Sequence, residues 1–153
     1  MLRTAVIASV AVAGLAAVGL SSQLLGRSTS DPRIISAAAG QAAVIDGDTL
    51  RLAGVVVRLS DVSSLPRGQP CAAGPDCGGQ ATAMLASLVQ NRRVECRVSG
   101  NDSNGRPAGR CEAGGQDVNQ TLVATGWARA SNAVLGAAEM DAKAHRRGIW
   151  LTN

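Results

Sequence analysis

The chain has 153 residues, a formal net charge of +4 and two tryptophans, and it contains neither tyrosine nor phenylalanine. This length accommodates one domain of ordinary size with a terminal appendage. With only two aromatic side chains, the composition argues against a protein that grips single-stranded nucleic acid by base stacking, which contributes about 1–3 kcal/mol per base.

The first 26 residues form an apolar N-terminal segment. Met1-Leu2-Arg3 is a basic start, and Thr4–Leu20 is an uncharged run of small and apolar residues. The pattern predicts a secretory signal peptide, with Ala17-Val18-Gly19 and Ser36-Ala37-Ala38 as small-residue cleavage sites. Because the apolar run extends weakly through Leu24-Leu25, an uncleaved anchor in the inner membrane is the alternative. Either interpretation predicts an exported protein, periplasmic or secreted.

Residues 27–41 are predicted to be a linker. Ser28–Gln41 contains serine, proline, alanine and glycine without a sustained hydrophobic period. The folded domain is therefore expected over residues 42–153.

The domain begins with a β-hairpin signal. Thr49–Leu52 and Val55–Val62 are rich in β-branched residues and leucine, and Ala53-Gly54 between them forms a tight turn. Asp46-Gly47-Asp48 places two carboxylates on the preceding turn, and Arg58 stands in the apolar return strand, where a guanidinium requires a partner. The spacing is compatible with a site for a hard cation and phosphate, or with a structural ion pair.

Four cysteines in an exported chain predict two disulfides. Strands 94–98 and 109–113 flank a turn, so antiparallel pairing brings Cys96 and Cys111 face to face. Cys71 and Cys77 bracket a short loop that a second disulfide would close. The rival is a four-cysteine zinc site, but its usual Cys-x-x-Cys pairs are absent, and no zinc is expected.

Three helices are predicted from hydrophobic spacing and capping residues. The first covers Gln80–Val89, and its Met84, Leu85 and Leu88 are expected in the core. The second covers Val118–Thr125, between the N-cap Asp117 and Gly126, and the third covers Gly136–Arg147. Strands interspersed with these helices are compatible with a small closed barrel.

The chain resembles the staphylococcal nuclease (thermonuclease) family over about residues 42–150. Five motifs in the family's order carry the resemblance: Asp46-Gly47-Asp48-Thr49 with Val57-Arg58-Leu59; Asn104-Gly105-Arg106; Gly115-Gln116-Asp117-Val118-Asn119; Leu122-Val123-Ala124-Thr125-Gly126-Trp127-Ala128; and Ala144-His145-Arg146-Arg147-Gly148-Ile149-Trp150. The resemblance implies a mainly β (α+β) fold, a five-stranded OB-fold barrel with three helices.

The resemblance also implies a site. In the family two aspartates hold calcium, a glutamate orients the attacking water, and two arginines bind the phosphate, which suits a hard cation and a phosphoryl group. Asp48 matches the first metal ligand and Asp46 a supporting carboxylate, whereas Arg58 and Arg106 match the phosphate-binding arginines.

The motif that follows the first arginine departs from the family. The second metal aspartate falls on Ser63, and the water-orienting glutamate falls on Pro66. Asp61 is the substitute ligand on offer, but on a regular strand it lies about 6.6 Å from Ser63. Retention of calcium is therefore doubtful on the sequence alone. The family's nucleotide-stacking tyrosines are replaced here by Asn104, Asn132 and Val134.

These residues predict an exported thermonuclease-family domain with an eroded active site. Its expected role is a catalytically weak or inactive module that binds phosphate or nucleic acid weakly through Arg58 and Arg106. The alternatives are an active, divergent calcium-dependent phosphodiesterase that uses Asp48 with Asp61, and a structural domain in which Arg58 is tied to Asp46 or Asp48.

Overall fold

The computed structural model describes residues 33–151. The signal peptide or membrane anchor predicted over residues 1–26 lies outside this range. Within residues 33–151, none of the helices has the length and apolar character needed to cross a membrane.

The described residues form nine strands, three α-helices and one 3-10 helix. The strands are β1 (Arg33–Ala37), β2 (Ala42–Asp46), β3 (Thr49–Leu52), β4 (Val55–Leu59), β5 (Val62–Ser64), β6 (Val94–Asn101), β7 (Pro107–Ala113), β8 (Gln116–Asp117) and β9 (Ala128–Ala130). The helices are α1 (Cys77–Val89), α2 (Val118–Ala124), α3 (Ala133–Ala144) and the 3-10 helix (Gly148–Trp150).

Seven of the strands belong to one sheet. Its path runs β1-β6-β7-β4-β3-β2, with β8 paired to β7, and only the β4–β7 pair is parallel. β5 and β9 form a separate antiparallel pair. The expected mixed α+β fold is present and is consistent with an OB-like fold, but the sheet of residues 33–151 does not close into the expected five-stranded barrel. β1 pairs with β6 and β2 with β3, but β1 and β2 do not pair with each other, so the path of the sheet is open between them.

The predicted linker over residues 27–41 is wrong for the part that forms β1. Arg33 to Ala37 pair in antiparallel register with Val98 to Val94, and Ala37 is buried. The segment Ser28–Gln41 shows no alternating pattern in sequence, and the strand in its described part, Arg33–Ala37, is short and has a pairing partner distant in sequence. Its strand character comes from the β6 edge rather than from local periodicity.

The core lies between the sheet and helices α1 and α2. Leu50, Val57, Leu85, Val94 and Leu122 are fully buried in one continuous cluster. The expected core position of Leu85 and Leu88 is confirmed, whereas Met84 is only partly buried against the cluster.

Both predicted disulfides are present. Cys96 and Cys111 are directly opposite on β6 and β7, fully buried, with their Cα atoms 4.0 Å apart. The second joins Cys71 to Cys77, the first residue of α1. Two disulfides indicate folding in an oxidising compartment.

Candidate functional site

An open cleft of about 510 Å³ lies beside the start of β3. β4 and the segment that follows β5 form its other walls. The residues that line it are Ile45, Asp46, Asp48, Arg58, Ser64, Leu65, Pro66 and Arg67.

Asp48 is the buried acid of this cleft, with an exposure of 4%. Its Oδ2 accepts hydrogen bonds from Arg58 Nη2 at 2.9 Å and from the Ser64 amide at 3.1 Å. Its Oδ1 accepts from the Thr49 hydroxyl at 3.0 Å. Burial raises the pKa of the Asp48 carboxyl, and together with the neighbouring Asp46 carboxylate it outweighs the lowering by the Ser64 amide and the Arg58 charge.

The turn before Asp48 packs closely against α1 and β5. Asp46 Oδ1 accepts a long hydrogen bond, 3.3 Å, from the Asp48 amide. A Cβ atom on Gly47 would lie 2.7 Å from both Ala81 Cβ and Ser64 Oγ. Glycine is therefore required here because α1 and β5 press on the turn, which brings Asp46 and Asp48 to the cleft wall.

The two departures from the family's motif have different positions. Ser63 is exposed on β5, in register with Arg129 of β9, and does not line the cleft, whereas Pro66 does. Asp61, the suggested substitute ligand, is exposed in the turn between β4 and β5 with φ +60°. It is not among the residues that line the cleft of Asp48.

The oxygen atoms that the cleft offers as ligands do not fit a calcium ion. Calcium takes six to eight oxygen ligands, chiefly carboxylates and carbonyls. Both oxygens of Asp48 already accept hydrogen bonds, and one of the donors is the cation Arg58. In residues 33–151 no three histidine, cysteine, aspartate or glutamate side chains come together as a metal site.

Arg106 directly precedes β7 and is not among the residues that line the cleft, although β7 pairs with β4 at Ala108 opposite Arg58. Its Nε and Nη2 atoms each lie 2.7 Å from Asp102 Oδ2. The backbone amides of Asn104 and Arg106 also donate to Asp102, which fixes the turn between β6 and β7. The carried-over phosphate role of Arg106 remains a prediction.

Arg67 is the cleft cation that sequence reasoning missed. It follows Pro66 directly, and its Nη2 donates to the Ile45 carbonyl at 2.8 Å. The only available signal was a charged residue next to the position of the family's glutamate. The cleft thus combines Arg58 and Arg67 with Asp46 and Asp48, a balance of two positive and two negative formal charges.

Comparison with known protein families gives a match over most of the described residues. Residues 56–152 match the family described as staphylococcal nuclease homologue. The chain belongs to the staphylococcal nuclease family. The resemblance drawn from the sequence motifs is therefore confirmed.

A curated relative is the succinoglycan biosynthesis protein ExoI of Rhizobium meliloti (strain 1021). It is 38% identical over 121 residues, which cover 72% of this chain and 63% of the relative. The chain thus spans less than two thirds of that protein's length.

The residues at the family's stacking positions have other tasks in this structure. Asn132 is the N-cap of α3, where its Oδ1 accepts from the Leu135 amide at 2.9 Å. Val134 is exposed on the same helix, and Asn104 lies in the β6–β7 turn. None of the three offers an aromatic face to a base.

Proposed function

We propose that this staphylococcal-nuclease-family domain binds phosphate groups in the cleft at Arg58 and Arg67 without a metal ion, and hydrolyses phosphodiesters weakly or not at all. We further propose that it acts outside the cytoplasm, periplasmic or secreted, as the apolar N-terminal segment and the disulfides suggest.

The observation that carries the proposal is the presence in one cleft of two arginines, each held by a single side-chain hydrogen bond. Arg58 reaches Asp48 through one nitrogen, and Arg67 reaches Ile45 through one nitrogen. A guanidinium has five N–H donors, so each arginine keeps donors for an anion. The Arg58 side chain is 29% exposed, which leaves it accessible from the cleft.

The replacement of the family's water-orienting glutamate supports weak catalysis. Pro66 stands where the family's glutamate orients water, and proline has neither an acid nor a base. A positioned general base contributes about 10²–10⁴-fold in rate. Asp48 does not replace it, since its oxygens are occupied by Arg58, Ser64 and Thr49.

Phosphate binding is tested by NMR titration of the full-length protein with inorganic phosphate and a short phosphodiester, in EDTA and again with calcium. We expect saturable shifts that are equal in both conditions, vanish in Arg58→Ala and weaken in Arg67→Ala. Arg51→Ala is the matched control, because Arg51 is exposed on β3 and outside the cleft lining. Absence of shifts at millimolar phosphate contradicts the proposal and leaves a structural ion pair.

Catalysis is tested by incubating the same protein with DNA and RNA, with and without calcium. Cleavage near the rate of ordinary nucleases that disappears in Asp48→Ala would establish the divergent phosphodiesterase instead. Arg106→Ala belongs in both assays, because it shows whether the carried-over arginine contributes.

An acidic glycan is a second candidate ligand. The relative ExoI is named for succinoglycan biosynthesis, and the cleft presents charge without an aromatic face for bases. Competition between an acidic oligosaccharide and an oligonucleotide for the cleft distinguishes the two candidates.

A further inference from the structure

The segment that carries Arg67 into the cleft is held by the first turn of α1. This segment, residues 65–76, joins β5 to α1. The Gln69 amide donates to the Pro66 carbonyl at 3.1 Å, and the Cys77 amide donates to the Gln69 carbonyl at 2.9 Å. The backbone on both sides of Arg67 is therefore fixed relative to the helix.

One carboxylate oxygen makes the central connection. Asp76 is the N-cap of α1, and its Oδ1 accepts from the Gly79 amide at 2.6 Å. The same oxygen accepts from the Gly68 amide, also at 2.6 Å. Gly68 directly follows Arg67, so Asp76 links the helix start to the residue beside the cleft arginine. The hydrogen bonds from Gly79 and then Gly68 lower the pKa of Asp76 below its usual value.

The Cys71–Cys77 disulfide closes the other end of the segment. Cys77 is fully buried, and Cys71 also exchanges two backbone hydrogen bonds of 3.0 Å with Gly74. Gly78 lies directly against the Pro66 backbone, because any Cβ at Gly78 would collide with the Pro66 carbonyl. The segment therefore has little room to move while the disulfide is intact.

We propose that Asp76 and the Cys71–Cys77 disulfide are positioning elements that hold Arg67 at the cleft, so that anion affinity depends on this disulfide being oxidised. The inference rests on the proposed function for its binding readout. Neither element touches the cleft, and both act through the backbone around Arg67.

The first test is a double-mutant cycle on phosphate affinity in the full-length protein. Arg67→Ala should weaken binding about tenfold, as expected for the loss of one charge-assisted hydrogen bond. Asp76→Ala should weaken binding several-fold in the wild type and have no further effect in Arg67→Ala. Asp76→Asn keeps an acceptor oxygen and should retain most of the affinity. Equal effects of Asp76→Ala in both backgrounds would overturn the proposal.

The second test removes the disulfide. Cys71→Ala/Cys77→Ala should lower affinity to the level of Asp76→Ala. Mild reductant should do the same to the wild type but not to this variant, with the buried Cys96–Cys111 bond verified as intact by mass mapping. Unchanged affinity in the double-alanine protein would overturn the redox dependence.

A readout without ligand separates failure of this inference from failure of the proposed function. The Arg67 Nε–H and Gly68 amide signals should shift and broaden in Asp76→Ala, while the Leu85 amide in the core stays unchanged. If the wild type binds no phosphate, the proposed function fails. These signals still decide whether Asp76 holds Arg67 in position. Arg67 and Gly68 signals in Asp76→Ala that are identical to those of the wild type would overturn the positioning role of Asp76.

Discussion

Asp48 and Arg58 form an ion pair across the β3–β4 hairpin, with Oδ2 and Nη2 2.9 Å apart. Arg58 is directly opposite Thr49 in the ladder, so the register itself brings the guanidinium to the neighbouring carboxylate. The pair explains how an arginine is accommodated on an apolar strand, since its charge meets a buried acid. The pair also holds β5 in place, because Asp48 Oδ2 accepts a hydrogen bond from the Ser64 amide as well.

Asp48→Ala is expected to destabilise the domain by roughly 2–3 kcal/mol, because it leaves the Arg58 guanidinium and the Ser64 amide without their acceptor. Urea unfolding measures the change. Glu95→Ala is the control, since the Arg93–Glu95 pair is exposed, with side-chain exposures of 66% and 46%, and should cost no more than about 0.5 kcal/mol. Equal losses in the two variants would show that Asp48 has no structural role.

The two disulfides should differ in their contribution to stability. Cys96–Cys111 has a sequence separation of 15 and Cys71–Cys77 one of 6. In the chain-entropy model these loops correspond to about 3 and about 2 kcal/mol. Replacing both cysteines of the first bond by alanine should cost more than this value, since fully buried sulfurs are also lost. A larger loss for the Cys71–Cys77 pair would contradict the argument.

Asp102 should make the stability depend on pH in the acid range. Desolvation acts to raise its pKa, but the backbone and side-chain hydrogen bonds from Arg106 together lower it below 3.8. A group with a lowered folded-state pKa contributes stability above its unfolded pKa and loses it as the pH falls through the folded value. Unfolding free energies between about pH 5 and pH 2 should therefore fall more steeply in the wild type than in Asp102→Asn. Parallel curves would refute the assignment.

Local patterns predicted the hairpin, the helices and the disulfides because each depends on neighbouring residues. The start of α1 was placed three residues late, at Gln80. Its N-cap is Asp76, which lies inside the loop closed by the Cys71–Cys77 disulfide and was assigned to that loop. The third helix was placed three residues late as well, because the Asn132 cap lies in a stretch without a hydrophobic period.

The parts that were missed depend on contacts distant in sequence. β1 is a strand because β6 offers an edge, and nothing in Arg33–Ala37 encodes that pairing alone. Arg67 reaches the cleft because α1 holds its backbone, which the charge pattern of the loop does not reveal. The Asp48–Arg58 pair was foreseen as one of two interpretations, because both residues lie on a hairpin whose register the turn fixes.

Gly126, just after α2, connects that helix to the 3-10 helix near residue 150. It has φ +80°, and its carbonyl accepts from the Ile149 amide at 2.9 Å, which docks the 3-10 helix that contains Trp150. A Cβ on Gly126 would collide with the Arg147 carbonyl. Gly126→Ala therefore combines backbone strain with displacement of this segment and should cost about 3 kcal/mol.

Gly105→Ala separates these two effects. Gly105 has φ +74° but nothing within 4 Å of an added Cβ, so its substitution should cost only the strain, about 1 kcal/mol. Urea unfolding followed by tryptophan fluorescence measures both variants. In Gly126→Ala the Trp150 emission should also shift before unfolding, because its ring leaves the Lys143 ammonium that lies 4.3 Å from the ring centroid. Equal losses in the two variants would mean that the close approach of Gly126 and Arg147 does not hold the chain end in place.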